Sequence, residues 1–409
     1  MKRFLKVLDF IVYWSIVLLP FSDAIAPAPM NVFMGYIIGF FFIKKLLKRE
    51  RVFIRTGLFL PMILLFAITC LSAINSVNLV DTFRGGIGRL AHYLLLFFVL
   101  VEEVKDRKHV QRIVISCVAG VLLASADSVW QVFTGKDFIQ QIPVIINIGL
   151  RRATGSFKDS NILGVYLSAF IPIILGLSLY FFKGKAKIWM LIISAVALLG
   201  ALLTYSRPTL LAVYISLLIL SIFKKDKVMI IALVVLTALA PFIAPAPVKQ
   251  WAKDVDYNVL RFMCNDDRVA IYRNSLLMIR AHPFIGVGAN GFMNSYKYYK
   301  ENPEYRGVIT PEGVKAHNNF LHMAGEIGIT GLLIFIWFLY GLFRQNLAIY
   351  KKLKDNFLKM ISLSLFVCLI AFLVNGLTES SLYYSRVGIL FWYLAGLSLS
   401  LMKFCHADK

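Results

Sequence analysis

The feature that most constrains this chain is a nearly continuous series of apolar runs. Each is close to the roughly twenty residues a helix needs to cross the hydrocarbon of a bilayer. Twelve runs can be marked, at approximately 7–24, 30–47, 57–74, 87–103, 109–132, 160–182, 187–205, 208–223, 227–245, 318–343, 357–378 and 384–403. Backbone groups in lipid must be satisfied within the segment, so such runs read as helices. The expected fold is an all-α polytopic membrane protein with about twelve spans, organised as one transmembrane domain over residues 1–409. Composition agrees, because 59% of the residues are hydrophobic, above the rough half typical of soluble chains.

Charge sets the expected orientation. The formal net charge is +22, but most of the Lys and Arg lie in short loops between apolar runs. That placement argues against nucleic acid as a partner and for the bias toward cytoplasmic positive charge, with membrane lipids as the surroundings. Clusters follow the second, fourth, sixth, eighth and tenth runs: Lys44, Lys45, Lys48, Arg49, Arg51 and Arg55, then Lys105, Arg107, Lys108 and Arg112, then Lys183, Lys185 and Lys187, then Lys224, Lys225 and Lys227, then Lys351, Lys352 and Lys354. All five fall on the side of the N-terminus, so both termini are expected in the cytoplasm. The first run, with Lys2, Arg3 and Lys6 before it and Ala24-Ile25-Ala26 after it, has the look of a signal peptide. Its removal would break the charge parity, so it reads as the first span.

The opposite loops are expected outside. Loop 133–159 is of medium length, and loop 246–317 is long and aromatic, with Trp251, Tyr272, Tyr296, Tyr298, Tyr299 and Tyr305. Connections of that length commonly carry structure or function. Residues 268–281 have a helical pattern that Pro283 ends, and Gly286, Gly288 and Gly291 mark turns beyond it. Among five cysteines only Cys264 lies in a long polar loop, which gives neither a disulfide framework nor a zinc spacing.

Ionisable residues in spanning segments are costly and are functional candidates. Here they gather toward the outer end: Arg84, Arg89, His92, Asp127, Arg207, His317, His322 and Glu326. This one-sided placement points to an anionic or polar ligand. Arg207 lies in Thr204-Tyr205-Ser206-Arg207-Pro208, a tight hairpin that restricts snorkelling, and the planar guanidinium suits phosphate oxygens. Arg151, Arg152 and Lys158 flank Thr154-Gly155-Ser156-Phe157, and Arg268, Arg273 and Arg280 follow in the long loop. His317 opens the tenth span, where a helix N-terminus favours a neutral imidazole, the form a general base requires. Asn318, His322 and Glu326 follow on one stripe, whereas His317 and Glu326 lie on opposite sides of the helix. The spacing of His282, His317, His322 and Glu326 fits no zinc template, so no metal and no other cofactor is expected.

Three blocks resemble the O-antigen ligase and polymerase superfamily of membrane glycosyltransferases. They are Thr154-Gly155-Ser156-Phe157-Lys158-Asp159-Ser160-Asn161, then Leu203-Thr204-Tyr205-Ser206-Arg207, then a stretch from Arg268 through Ile279-Arg280-Ala281-His282-Pro283 and Gly286-Val287-Gly288-Ala289-Asn290 to Phe292. The third closes at His317-Asn318, with Gly328 after nine intervening residues. The resemblance implies a GT-C-like fold and, most closely, a lipopolysaccharide O-antigen ligase in the bacterial inner membrane. Such a ligase moves glycan from an undecaprenyl-pyrophosphate carrier to lipid A–core on the periplasmic face, without metal, and inverts if transfer is a single displacement. It also implies roles: His317 as base, Arg207 and Arg280 first and Arg152 and Arg268 next on the pyrophosphate, and Asn318, His322 and Glu326 as secondary candidates.

Other readings fit the same residues. A polymerase of the same superfamily would carry arginine, ten residues, then glycine in two external loops; Arg280 to Gly291 fits, but Arg151 and Arg152 meet Ile162 and Leu163. A ligase of another surface glycan is a further possibility within the class. A multi-span transporter would commonly show two related halves, and no internal repeat is visible here.

Overall fold

The computed structural model describes residues 2–50, 56–147, 149–258, 266–299 and 314–405; Arg51, Arg55, Cys264 and Tyr305 lie outside the described residues. The helices are α1 (Lys2–Ile25), α2 (Pro27–Lys48), α3 (Phe59–Leu71), α4 (Gly88–Glu103), α5 (Arg107–Thr134), α6 (Ser160–Tyr180) and α7 (Gly184–Leu203). They continue as α8 (Arg207–Lys224), α9 (Lys227–Ile243), α10 (Ala246–Asp254), α11 (Asp266–Ala281), α12 (Asn319–Lys352), α13 (Asn356–Asn375) and α14 (Ser385–Ser400). The chain is thus an all-α polytopic membrane protein, and its described β structure is a small hairpin, β1 (Ile145–Asn147) and β2 (Leu150–Arg152).

Each of the twelve apolar runs becomes a helix, but not each is a full-length span. Among the described residues, ten helices are long and apolar enough to cross a membrane. The third run gives only the short α3 and one 3-10 turn, Ser72–Asn75. The ninth gives α9, which turns by 88° into α10. Proline accounts for that turn: Pro245 disfavours the helical region for Ala244, which has ψ 141°, and Pro247 sits in the first turn of α10.

α6, α13 and α14 are the most deeply buried helices and form the centre. α6 packs on α13 and α7, α4 on α14, α1 on α2 and α5, and α9 on α8. One end of the bundle is tied by charge. Lys44 contacts Asp9 at 3.0 Å and Glu103 at 2.7 Å, Lys45 pairs with Glu102 and with Glu50 at 2.9 Å, and Arg107 meets Asp355 at 3.1 Å. Part of the basic cluster seen in the sequence is therefore paired. The other end has its own tie. Arg386 on α14 reaches Asp23 on α1 at 2.8 Å, donates to the Ser156 carbonyl at 2.9 Å and lies 3.7 Å over the Phe157 ring.

The conspicuous interruption is within α12, at Ile327 (φ −123°) and Gly328 (φ +75°). The segment after α11 fills it. Val287 donates to the Gly325 carbonyl at 2.9 Å, Gly288 to that of Glu326 at 3.0 Å, and Ile329 to that of Pro283 at 2.8 Å. The break would otherwise leave unsatisfied backbone groups, so the glycine-rich turn and the break stabilise one another. A Cβ on Gly328 would come within 2.2 Å of the Phe284 carbonyl oxygen, besides demanding a left-handed backbone. Gly328→Ala should therefore destabilise the protein by about 3 kcal/mol. Thermal unfolding in detergent checks this: an unchanged midpoint would contradict the docking.

Candidate active site

The site forms at the end of the bundle that holds Arg386 and Asp23. Its first wall comes from the Thr154–Asn161 block. Gln131 on α5 accepts the N–H groups of Thr154 (2.8 Å) and Gly155 (2.9 Å), fixing a turn in which Gly155 has φ +48° and Lys158 has φ +63°. Asp159 then caps α6, accepting the Asn161 N–H at 2.7 Å and that of Ile162 at 3.2 Å. This places Asn161 in the first turn of α6. Arg152, at the end of β2, donates Nε to the Thr204 carbonyl at 2.9 Å and Nη2 to Asn161 Oδ1 at 3.2 Å.

The second wall is the turn between α7 and α8. Tyr205 takes φ +46°, and Arg207 begins α8 with Pro208 behind it. The Arg207 guanidinium carbon lies 4.0 Å from the centroid of the Trp251 ring on α10. Such cation–aromatic stacking is worth about 0.5–2 kcal/mol and fixes the plane of the guanidinium. The bend between α9 and α10 is what brings Trp251 here. Arg152, Asn161, Tyr205, Arg207, Trp251 and Arg268 line one cavity of about 400 Å³.

Next to it is a histidine–carboxylate pair. His317 Nδ1 lies 3.2 Å from Oε1 of Glu379, which sits in the connection between α13 and α14. The Glu379 side chain is only 2% exposed, whereas that of His317 is 33% exposed. Oε1 also accepts the Ser380 N–H at 3.2 Å, while Oε2 faces Asn161 Nδ2 at 3.3 Å and Arg268 Nη2 at 3.7 Å. Burial alone would raise the Glu379 carboxyl, but His317, Arg268 and the Ser380 N–H together hold it below its ordinary value. The Tyr272 hydroxyl donates to the His317 carbonyl at 3.1 Å, and His317 has φ +48°. Lys315 lies 3.2 Å over the Tyr384 ring; burial, partly offset by Glu379, pushes its ammonium down to about 8.

The structure brings together Arg152, Arg207, Arg268 and His317. Arg280 is not at this cavity. It is exposed at the far end of α11, and the twelve residues from Arg268 carry it about 18 Å along the helix. Asn318 caps α12, accepting from Phe320 at 2.9 Å and Leu321 at 3.0 Å. His322 is buried between the Phe292 and Tyr383 rings and bonds Glu326 at 3.2 Å and Ser380 at 3.1 Å. Glu326 also accepts the Phe292 N–H at 3.3 Å. That pair secures the turn beside the helix break. Glu379 lies in the last connection and Arg386 in the first turn of α14, and no local motif marks either. Glu379 was missed because 62 residues separate it from His317, and Asn161 because an uncharged amide carries no signal of its own.

A family model described as O-antigen ligase matches residues 191–336, a segment that contains Arg207, Arg268 and His317. The match supports the O-antigen ligase and polymerase superfamily. No curated protein matches the chain. Arg152, Asn161 and Glu379 lie outside the matched O-antigen ligase segment, yet they complete its cavity and its histidine pair.

Three guanidinium groups on one cavity should bind pyrophosphate. Inorganic pyrophosphate is expected to raise the thermal midpoint of the purified protein, with each of Arg152→Ala, Arg207→Ala and Arg268→Ala weakening binding about tenfold and Arg280→Ala leaving it unchanged. Protection that depends on Arg280 alone would contradict the assignment.

Proposed function

We propose that this chain transfers O-antigen glycan from an undecaprenyl-pyrophosphate carrier to lipid A–core at the periplasmic face of the bacterial inner membrane. The observation that carries this reading is the His317–Glu379 pair set beside the three-arginine cavity. The superfamily match supports the general class, a membrane glycosyltransferase of the O-antigen ligase and polymerase type. The ligase reading is favoured because Arg280 is the one arginine with the polymerase-type spacing to glycine, and it lies away from the cavity.

The chemistry follows from the geometry. The carrier's pyrophosphate occupies the cavity, against Arg152, Arg207 and Arg268, with Leu210, Pro247 and Val248 beside the start of its isoprenoid chain. The acceptor hydroxyl oxygen attacks the anomeric carbon, and the electron pair of the breaking C–O bond passes to the pyrophosphate oxygen. Fixed guanidinium groups stabilise that growing charge; one such donor is typically worth about 10²–10³ in rate. Nδ1 of His317 donates to Glu379, so Nε2 presents its lone pair to the attacking hydroxyl and takes the proton. The Glu379 carboxylate orients the ring and stabilises the imidazolium as it forms. Attack opposite the leaving group inverts the anomeric centre, and the arginines supply the positive charge without a metal.

Reconstitution tests this. Protein in EDTA with carrier-linked glycan and lipid A–core should yield glycan-capped lipid A–core on a gel. His317→Ala should lower the rate by about 10²–10⁴, and Glu379→Gln by about tenfold or more. Lengthened carrier-linked glycan with lipid A–core untouched would make the protein a polymerase. Solute counterflow with no glycan product would make it a transporter.

A further inference from the structure

Besides the approach of Arg268 to Glu379 at 3.7 Å, the arginine cavity and the histidine pair are joined through a neutral side chain that links them by hydrogen bonds. Asn161 Oδ1 accepts from Arg152 Nη2 at 3.2 Å, while its Nδ2 donates to Glu379 Oε2 at 3.3 Å. The orientation of the amide is dictated by its partners. A guanidinium offers only donors and an ionised carboxylate only acceptors. Rotating the amide by half a turn would set its NH2 against Arg152 and its oxygen against Glu379, opposing both contacts. Asn161 itself is held by Asp159 through its backbone N–H at 2.7 Å, so the amide is presented from a capped helix end.

Glu379 is correspondingly two-faced. Oε2 looks toward the cavity, receiving Asn161 and Arg268, and Oε1 looks toward the base, receiving His317 and the Ser380 N–H. We infer that Asn161 is a positioning residue that couples the anion-binding arginines to the His317–Glu379 pair, so that an occupied cavity sets the orientation of the base. This rests on the glycosyltransferase reading above. An anion drawn against Arg152 fixes the guanidinium, the guanidinium fixes the Asn161 amide, and the amide fixes the carboxylate that aims His317. The chain thus makes anion binding and base alignment depend on one another through a single amide.

The plainer account is that Asn161 merely satisfies a buried carboxylate, as any buried carboxylate requires. The two accounts differ in a measurable coupling. Arg152→Ala, Glu379→Gln and the double variant form a cycle in kcat/KM for the carrier-linked donor, repeated in an Asn161→Ala background. The coupling account expects Arg152→Ala and Glu379→Gln to be non-additive by at least about threefold when Asn161 is present, and additive when it is alanine. A purely structural amide would lower every rate alike and leave the coupling unchanged, which would overturn the inference. The same cycle in the affinity for inorganic pyrophosphate, read by thermal shift, gives a second measure that does not need turnover: Arg152→Ala and Glu379→Gln should be non-additive there only when Asn161 is present. Size-exclusion elution of each variant identifies any that misfold. Wild-type protein that neither binds pyrophosphate nor transfers glycan would overturn the functional reading and this inference with it; an active protein without the coupling would overturn the inference alone.

Discussion

A carboxylate removed from water must collect donors for both its oxygens, and the way Glu379 meets that requirement organises the site. Its donors come from four separate stretches of chain: Asn161 in the first turn of α6, Arg268 on α11, His317 just ahead of α12, and the Ser380 N–H in its own connection. Losing any of them would leave charge buried with less compensation, and such losses are costly. The carboxylate therefore holds helices from the middle and the end of the chain in one register. It also puts a half-exposed imidazole next to a cavity walled by arginines.

Around this hub the backbone groups freed by a sharp helix break find partners. The break in α12 releases carbonyls at Gly325 and Glu326, and the turn after Pro283 supplies N–H groups to both. Buried His322 and Glu326 tie that same turn to the helix. The Arg386–Asp23 contact secures the opposite flank by fastening α14 to α1 and to the turn that presents Asn161. His322 and Glu326, the secondary candidates of the sequence, thus have their side chains engaged in holding the turn after Pro283.

The helices were legible because hydropathy alone decides where a chain can lie in lipid, and all twelve apolar runs are helical. Their lengths were less so. Pro245 closes a run that hydropathy reads as one straight span, and the turn there is what delivers Trp251 to Arg207. At the site, Arg152, Arg207, Arg268 and His317 could be chosen from motif and charge. Arg280 could not be separated from them, because spacing along a chain does not report which end of a helix faces the cavity. The His317–Glu379 pairing depends on how α12, α13 and α14 come together, and no local pattern carries that.

The most direct test is to see where the carrier's headgroup sits. A cryo-EM structure of the protein with a non-hydrolysable prenyl-pyrophosphate glycan analogue would show it. The account predicts pyrophosphate density among Arg152, Arg207 and Arg268, with the sugar on the side of His317 that leaves an acceptor hydroxyl within about 3–3.5 Å of both the anomeric carbon and Nε2. Density for the pyrophosphate at Arg280, or anywhere that puts the anomeric carbon beyond reach of His317, would contradict it.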